Sequence, residues 1–173
     1  ATLTFTVVAN DGTTGANGGE SNLSAPQVIT INITGTNDTP VITSLTASNV
    51  TESDLRGSLV AVVTDEDVND GYTFVVETVA ATVDAGSAQN NAINIVSNVT
   101  VAIQSNGDYT VSGTGIENLA AGEITTITFD VRVSDGTTGA NGGESDISAT
   151  KSVSLTITGT NDAPIIAPVS NLV

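Results

Sequence analysis

The stretch of sequence that decides the fold is "FTVVANDGTTGANGGESNLSAPQVITINITGTNDTPVI", residues 5–42. It returns without gaps as "FDVRVSDGTTGANGGESDISATKSVSLTITGTNDAPII", residues 129–166, at an offset of 124 residues. A period of that length is close to the usual size of one domain. We therefore predict one complete repeat at residues 41–164, the C-terminal hairpin of a preceding repeat at residues 1–40, and the start of a following repeat at residues 165–173.

The two copies keep apolar residues at the same alternate positions. The matched pairs are Phe5/Phe129, Val7/Val131, Ile29/Val153, Ile31/Leu155 and Ile33/Ile157. Because side chains alternate between the two faces of a strand, this pattern predicts strands with one buried face. A lone hairpin over residues 2–34 could not bury its apolar face by itself. Since the chain also begins in mid-strand, we expect an excerpt of something longer, with either the missing front half upstream or a neighbouring copy packed against the hairpin.

Short apolar stretches separated by Gly, Asn and Asp turns fill the complete repeat. Strands are predicted at about residues 41–49, 57–64, 71–79, 92–96, 98–105, 108–112, 124–134 and 150–159, with one helix-like turn within residues 115–123. Many short strands with regular turn signals are typical of two packed antiparallel sheets. The predicted fold class is therefore all-β, an antiparallel immunoglobulin/cadherin-like β-sandwich in tandem repeat.

The charge balance excludes several kinds of partner. Three Lys and Arg residues against 19 Asp and Glu residues give a net charge of −16, whereas nucleic acid or an anionic membrane surface would need clustered cations. No apolar run approaches the roughly 20 residues that span a bilayer. We expect no nucleic acid partner and no membrane insertion, and we expect cations to be the natural partners.

The residue types also argue against an enzyme. The chain has no His and no Cys, which removes the commonest general base and the Ser-His-Asp triad. Paired carboxylates alone could hydrolyse glycosides, but only 3% of the residues are aromatic and could stack on a sugar. The acids also fall in repeated loops instead of one cleft. We therefore predict a non-catalytic protein.

Strand direction predicts where the acidic residues meet. If the repeat begins after Pro40 and ends at Pro164 at opposite ends, the first strand runs away from Pro40 and the second returns to it. Three segments then bring oxygen-bearing side chains to the Pro40 end: Asn37 and Asp38, then Asp65, Asp67 and Asp70, then Asp135 and Glu144. The same reasoning places Glu52 with Asn161 and Asp162 at the Pro164 end.

Calcium fits these sets of oxygen ligands. It takes roughly six to eight oxygens in flexible geometry, whereas magnesium needs a tighter octahedron and zinc prefers nitrogen or sulfur. We predict Ca²⁺ at both ends of the repeat. Each acid also has a simpler interpretation, because Asp-Gly and Asn-Asp are ordinary turn formers. Asp65 and Asp67 are the stronger candidates, since an Asp-x-Asp pair in an extended segment points two carboxylates the same way.

The sequence resembles a known family at these residues. "NGDYTVSGTGIENLAAGEITTITFDVRVSDG", followed by "SLTITGTNDAP", is similar to the VCBS-type repeat (Vibrio, Colwellia, Bradyrhizobium and Shewanella). This is a bacterial cadherin-like module found in tandem in giant secreted adhesins, many of the RTX type. The resemblance covers most of residues 41–164 and again residues 1–40. It implies an extracellular or bacterial cell-surface protein, commonly exported by a type I system, whose repeats hold a binding domain out towards a host or biofilm surface.

The resemblance also implies ligand roles. Cadherin linkers combine an Asn-Asp pair before Pro, an upstream Glu, and an Asp-x-Asp in the next domain. The matching residues are Asn37, Asp38, Glu52, Asp65, Asp67, Asn161 and Asp162. Two departures limit the match. Gly-Thr stands where such linkers usually carry a further acidic position, which implies fewer ions at each junction, and the glycine-rich calcium nonapeptide of RTX tails is absent.

The predicted function is a non-catalytic extracellular spacer repeat of a large bacterial surface adhesin, with junctions rigidified by calcium. Its expected partners are neighbouring repeats of the same chain or identical copies. Two alternatives stay open. One is a subunit of an extracellular filament or surface layer, assembled by strand or hairpin complementation between copies, and the other is a carbohydrate-binding adhesin module.

Overall fold

The computed structural model describes residues 1–12, 22–67, 71–83, 96–136 and 144–164, and most of them lie in β-strands. The strands are β1 (Thr2–Val7), β2 (Gln27–Asn32), β3 (Val41–Ala47), β4 (Val50–Thr51), β5 (Arg56–Thr64), β6 (Thr73–Phe74), β7 (Glu77–Ala80), β8 (Thr82–Val83), β9 (Ser97–Ile103), β10 (Asp108–Thr114), β11 (Ile124–Val131), β12 (Val133–Ser134) and β13 (Lys151–Thr158). A 3-10 turn covers Ile116–Asn118. Within these ranges, no helix has the length and apolar character needed to cross a membrane.

The described residues between 41 and 158 form two main sheets. One has the strand order β3-β5-β10-β9-β7 and the other β4-β13-β11-β8, while β12 and β6 form a short separate pair. Every pairing is antiparallel except that of β4 with β13, which is parallel. The predicted all-β sandwich is confirmed, and the parallel pair is a feature that the sequence pattern did not indicate.

The core lies between the two sheets. Alternate residues of β11, Ile127, Phe129 and Val131, are buried, and the residues between them are not. From the facing sheet, Tyr109 of β10 packs against Phe129 with ring centroids 6.1 Å apart. Burying one such side chain completely stabilises the fold by roughly 1.5–3 kcal/mol. The period-two alternation in the sequence therefore marks the true core face.

Several predicted strand boundaries need correction. The strand predicted at residues 71–79 is two strands, β6 and β7, because the chain leaves one pairing at Phe74 and enters another at Glu77. The two-residue strands β4 and β8 were not predicted, since two residues carry no measurable period. The strand predicted at residues 92–96 lies outside the described residues except for Val96, which is not in a strand.

The hairpin β1–β2 repeats the register of β11–β13. Leu3 pairs with Ile31 and Phe5 with Ile29, just as their counterparts Ile127 and Phe129 pair with Leu155 and Val153. The burial is opposite, however. Phe5 is 42% exposed and Phe129 only 2%, and every residue of β1 and β2 is exposed. The same apolar sequence pattern is therefore buried in the core in β11–β13 and exposed in β1–β2.

A hydrogen bond from a buried tyrosine of β10 holds the segment that directly follows β3. Tyr109 is 1% exposed, and its hydroxyl donates a hydrogen bond to the carbonyl of Ser48. The ring lies over Gly57, where any Cβ would overlap it. Burial raises the pKa of Tyr109 above its usual value, so the phenol stays protonated and remains a donor at neutral pH.

Removing this hydroxyl gives a direct test of its contribution. Tyr109→Phe should lower the free energy of unfolding by about 1–2 kcal/mol, because the Ser48 carbonyl loses its donor. Tyr72→Phe is the matched control, since Tyr72 also donates to a backbone carbonyl, that of Ala61, but is 41% exposed. Urea denaturation of both variants would measure the difference, and equal losses would contradict a special role for Tyr109.

Candidate metal site at the repeat junctions

The N-terminal junction, residues 35–40, meets two loops of the following sandwich. Val41 at the start of β3 pairs with Thr64 at the end of β5, so the loop after β5 comes back beside Pro40. Asp65 and Asp67 lie in that loop. This placement follows from an antiparallel pair of strands in which the second returns to the start of the first.

Hydrogen bonds tie the junction to both loops. The backbone N–H of Asp38 donates to Oδ2 of Asp67 at 2.9 Å, and the N–H of Asp67 donates to Oδ1 of Asp65 at 2.9 Å. Asn37, which is 7% exposed, donates from Nδ2 to Oδ2 of Asp135 at 3.3 Å, and its carbonyl accepts from the N–H of Glu144 at 2.6 Å. Six predicted residues therefore converge on one place, with Asn37 and Asp38 at its centre.

The same place carries concentrated negative charge. An open pocket of about 450 Å³ is lined by Asp38, Thr39, Val41, Thr64, Asp65, Glu66 and Glu144. The pKa of Asp38 is raised above its ordinary value, first by partial burial and then by the charges of Asp67, Glu66, Glu144 and Asp65. All four charged neighbours are carboxylates. Ionisation of Asp38 is therefore less favourable in the folded state than in a free aspartate.

One buried carboxylate oxygen at this junction has no hydrogen-bond partner among the described residues. Oδ1 of Asp65 accepts from Asp67, but Oδ2 is buried and makes no hydrogen bond to the part of the chain that the structure describes. A buried polar atom without a partner is unfavourable by about 1–3 kcal/mol. A hydrogen-bond donor or a metal ion at Oδ2 would remove that penalty.

The C-terminal junction, residues 159–164, is built around Glu52. β4 lies parallel to the end of β13, with Thr51 beside Thr158, and Oε1 of Glu52 accepts from Thr160 N–H at 2.7 Å and from Thr160 Oγ1 at 2.8 Å. Oε2 of Glu52 is buried and has no hydrogen-bond partner within the described ranges. Asn161 and Asp162 follow directly and are exposed. The structure thus brings Glu52 to this junction, but its hydrogen bonds go to Thr160 and not to the Asn-Asp pair.

The two junctions share their local geometry. Asn37 donates from Nδ2 to the carbonyl of Asp38 at 3.1 Å, and Asn161 donates in the same way to the carbonyl of Asp162 at 3.3 Å. The offset of 124 residues makes these pairs equivalent. At the N-terminal junction, the Asn-Asp pair lies beside the loops of the sandwich that follows it. At the C-terminal junction, the Asn-Asp pair comes directly after Thr160, which contacts Glu52 of the sandwich that precedes it.

Within residues 1–12, 22–67, 71–83, 96–136 and 144–164, no group of three or more acidic side chains is close enough to hold a metal ion. Asp70, also predicted as a ligand, lies outside the described residues.

Sequence reasoning missed two residues of these junctions. Thr160 was not predicted, although Thr36 and Thr160 occupy the same place in the repeated "GTND" phrase and this duplication was a usable signal. Glu66 was not predicted either, because it lies between the two members of the Asp-x-Asp pair. It lines the pocket and contributes to the raised pKa of Asp38.

No protein-family model matches the chain. No curated protein matches its sequence significantly.

Proposed function

We propose that the chain is a spacer repeat of an extracellular bacterial surface adhesin and that calcium ions stiffen its junctions. The observation that carries the proposal is the position of the unpartnered oxygens. Among the described residues, three buried side-chain oxygens make no hydrogen bond, and two of them are carboxylate oxygens, Oδ2 of Asp65 and Oε2 of Glu52. One lies at each junction, where a linker enters or leaves the sandwich.

The donor set favours calcium over other metals. Asp38, Asp65 and Asp67 at the N-terminal junction, and Glu52 at the C-terminal one, offer only hard oxygen atoms. The chain contains no His or Cys that would favour zinc or copper. Calcium accepts carboxylate, amide and backbone oxygens in irregular arrangements. When bound, it would neutralise charge at the junction and connect residues of the linker to residues of the loops.

Charge supports the same proposal. With a net charge of −16, the folded chain repels itself, and the repulsion is greatest where acids converge. A ligand that binds only the folded state stabilises it by about 2.7 kcal/mol at a free concentration 100 times its dissociation constant. A protein of this kind would be stiff where calcium is plentiful, as it is outside cells, and looser where calcium is scarce.

Calcium titration tests the proposal directly. Adding CaCl₂ to the chelator-treated protein should raise the melting temperature by several degrees. Small-angle scattering should also show a narrower distribution of the overall dimensions of the chain. MgCl₂ at equal ionic strength is the control and should do much less. If calcium changed neither quantity, the spacer proposal would fail. Specific retention of a glycan on an array would instead favour the carbohydrate-binding alternative.

A single substitution separates a ligand from a loop former. Asp65→Asn should remove most of the calcium-induced rise in melting temperature while slightly stabilising the metal-free protein, because it removes a carboxylate from a repulsive cluster. Asp130→Asn is the matched control: it makes the same charge change in β11, where Asp130 accepts from the Ser152 hydroxyl at 2.6 Å. A loss of stability in both the metal-free and the calcium-loaded Asp65→Asn protein would identify Asp65 as a loop-shaping residue only.

A further inference from the structure

The hairpin β1–β2 carries an apolar face that none of the described residues covers. The six side chains of this face are between 41% and 56% exposed: Leu3, Phe5, Val7, Ile29, Ile31 and Ile33. Strand pairing sets them side by side, with Leu3 opposite Ile31 and Phe5 opposite Ile29. A contiguous apolar patch on a protein surface marks an interaction site, whereas scattered apolar residues do not. The chemistry of the hairpin indicates which partner fits this face.

The hairpin and its flanks carry no charged side chain. Residues 2–9 and 23–36 contain no Asp, Glu, Lys or Arg, although the chain as a whole has a net charge of −16. Three positions that are charged in the complete repeat are neutral here: Thr6 corresponds to Asp130, Val8 to Arg132 and Gln27 to Lys151. The exposed hairpin is therefore the uncharged one, and an uncharged, apolar partner surface complements it.

A front half such as residues 41–123 matches this hairpin less well. In the complete repeat, Nη2 of Arg132 lies 2.8 Å from Oε2 of Glu77, and this ion pair links the end of β11 to β7. Val8 stands at the position of Arg132 and could not make that ion pair.

The front half of the chain is also already covered. Val101 and Tyr109 of that half are at most 1% exposed, because they pack against β11–β13 in one core. The β1–β2 hairpin of a second copy could dock there only by displacing β11–β13. Such an exchange would uncover one apolar hairpin for each one that it covers, so that no apolar area would be gained.

We infer that the apolar face of β1–β2 docks onto the same face of a second copy of the chain, around a two-fold axis. Such an axis sets one patch against itself, so that each face covers the other. Two antiparallel sheets pack about 10 Å apart with their apolar side chains between them. Thr4 and Thr6, on the opposite face of β1, remain in water. Gln27 lies opposite Val7 and gives the contact a polar rim.

The size of the face predicts a weak, reversible dimer. Each strand has six residues, which at about 3.3 Å per residue make a face about 20 Å long. Two such faces bury on the order of 1,000 Å² in total, close to the lower limit for a specific interface. We therefore expect a dissociation constant of roughly 10–100 µM. Since each copy carries a net charge of −16, added salt should tighten the dimer by screening the repulsion between copies.

Sedimentation of the full chain tests the pairing. With a chelator present, the chain should change from monomer to dimer between about 1 and 500 µM. Phe5→Asp should weaken the dimer at least about 100-fold, because it buries a carboxylate of each copy in the contact. Thr6→Asp is the matched control, since it adds the same charge on the opposite face of β1, where the complete repeat has Asp130. The control should change the dissociation constant by less than about threefold.

Hydrogen exchange identifies the surfaces that pair. Over the same concentration range, the amides of β1 and β2 should exchange at least about threefold more slowly, because the hairpin opens only in the monomer. The amides of β11 and β13 should not change. Loss of protection in β11 and β13 would show that hairpins are exchanged between copies and would overturn the inference.

Three further results would also overturn it. They are a chain that stays monomeric over the whole range, a dimer that Phe5→Asp leaves unchanged, and a dimer that forms only after CaCl₂ is added. Pairing is measured with a chelator present, whereas the spacer proposal is tested by the response of the melting temperature to calcium. Failure of one is therefore distinguishable from failure of the other.

Discussion

Replacing Phe129 by alanine is expected to lower the free energy of unfolding of the repeat by about 3–5 kcal/mol, whereas Phe5→Ala should lower it by less than about 0.5 kcal/mol. The two residues occupy equivalent positions in one duplicated sequence. Phe129 packs against Tyr109 in the closed core, with ring centroids 6.1 Å apart, and truncation would leave a cavity there. Phe5 is already 42% exposed, so its truncation removes little buried area.

The comparison needs only urea denaturation of three proteins. The unchanged chain and the two variants should unfold with similar denaturant dependence, and only Phe129→Ala should show a much lower midpoint. Equal losses at both positions would contradict the description of β1–β2 as an uncovered hairpin. The pair is informative because residue type and local register are the same, so only the tertiary surroundings differ.

Gly159→Ala is expected to lower the free energy of unfolding by at least about 2 kcal/mol, while Gly35→Ala should change it by no more than about 0.5 kcal/mol. A Cβ at Gly159 would overlap the carbonyl oxygen of Ala120 and lie 2.8 Å from the carbonyl oxygen of Leu119. Backbone atoms cannot rotate away as a side chain can. The overlap therefore has to be relieved by moving the turn that follows the 3-10 segment.

Gly159 is also held in place by two backbone hydrogen bonds. Its N–H donates to Glu123 at 2.8 Å, and its carbonyl accepts from Gly122 at 3.0 Å. Gly35 occupies the same place in the first "GTND" phrase, yet a Cβ there meets no atom within 4 Å. Thermal melting of both variants checks the prediction.

The sequence predicts the sheets well because burial imposes a period of two on long strands. β5, β9, β11 and β13 each contain at least seven residues, enough for the alternation to be recognised. The ends of β5, β9 and β13 were predicted to within two residues, whereas the single strand predicted at residues 124–134 is divided into β11 and β12. β4 and β8 each contain two residues and exist only because a neighbouring strand offers free backbone groups. A local sequence pattern does not indicate whether a neighbouring strand offers such backbone groups.

The candidate site was predictable in location and less so in contacts. Antiparallel return of β5 towards Val41 follows from strand order, so the approach of Asp67 to Asp38 could be expected from topology. The hydrogen-bond partner of the Glu52 carboxylate could not be expected from topology. Which residue of the "GTND" phrase reaches its carboxylate depends on how β4 lies along β13, and the sequence does not specify a parallel pairing of two residues. Thr160 therefore holds a position that was assigned to Asn161 and Asp162.

The parallel pairing of β4 with β13 has a mechanical consequence. The chain enters the sandwich next to β3 and leaves it from the end of β13, while Thr51 and Thr158 lie side by side at that end. Tension transmitted between Pro40 and Pro164 would pull β4 and β13 along their length, in opposite senses. Hydrogen bonds between the two strands, such as that from Glu52 N–H to the Thr158 carbonyl at 3.0 Å, would then be loaded together and would have to rupture together. A fold of this kind resists stretching more strongly than one whose terminal strands peel apart one bond at a time.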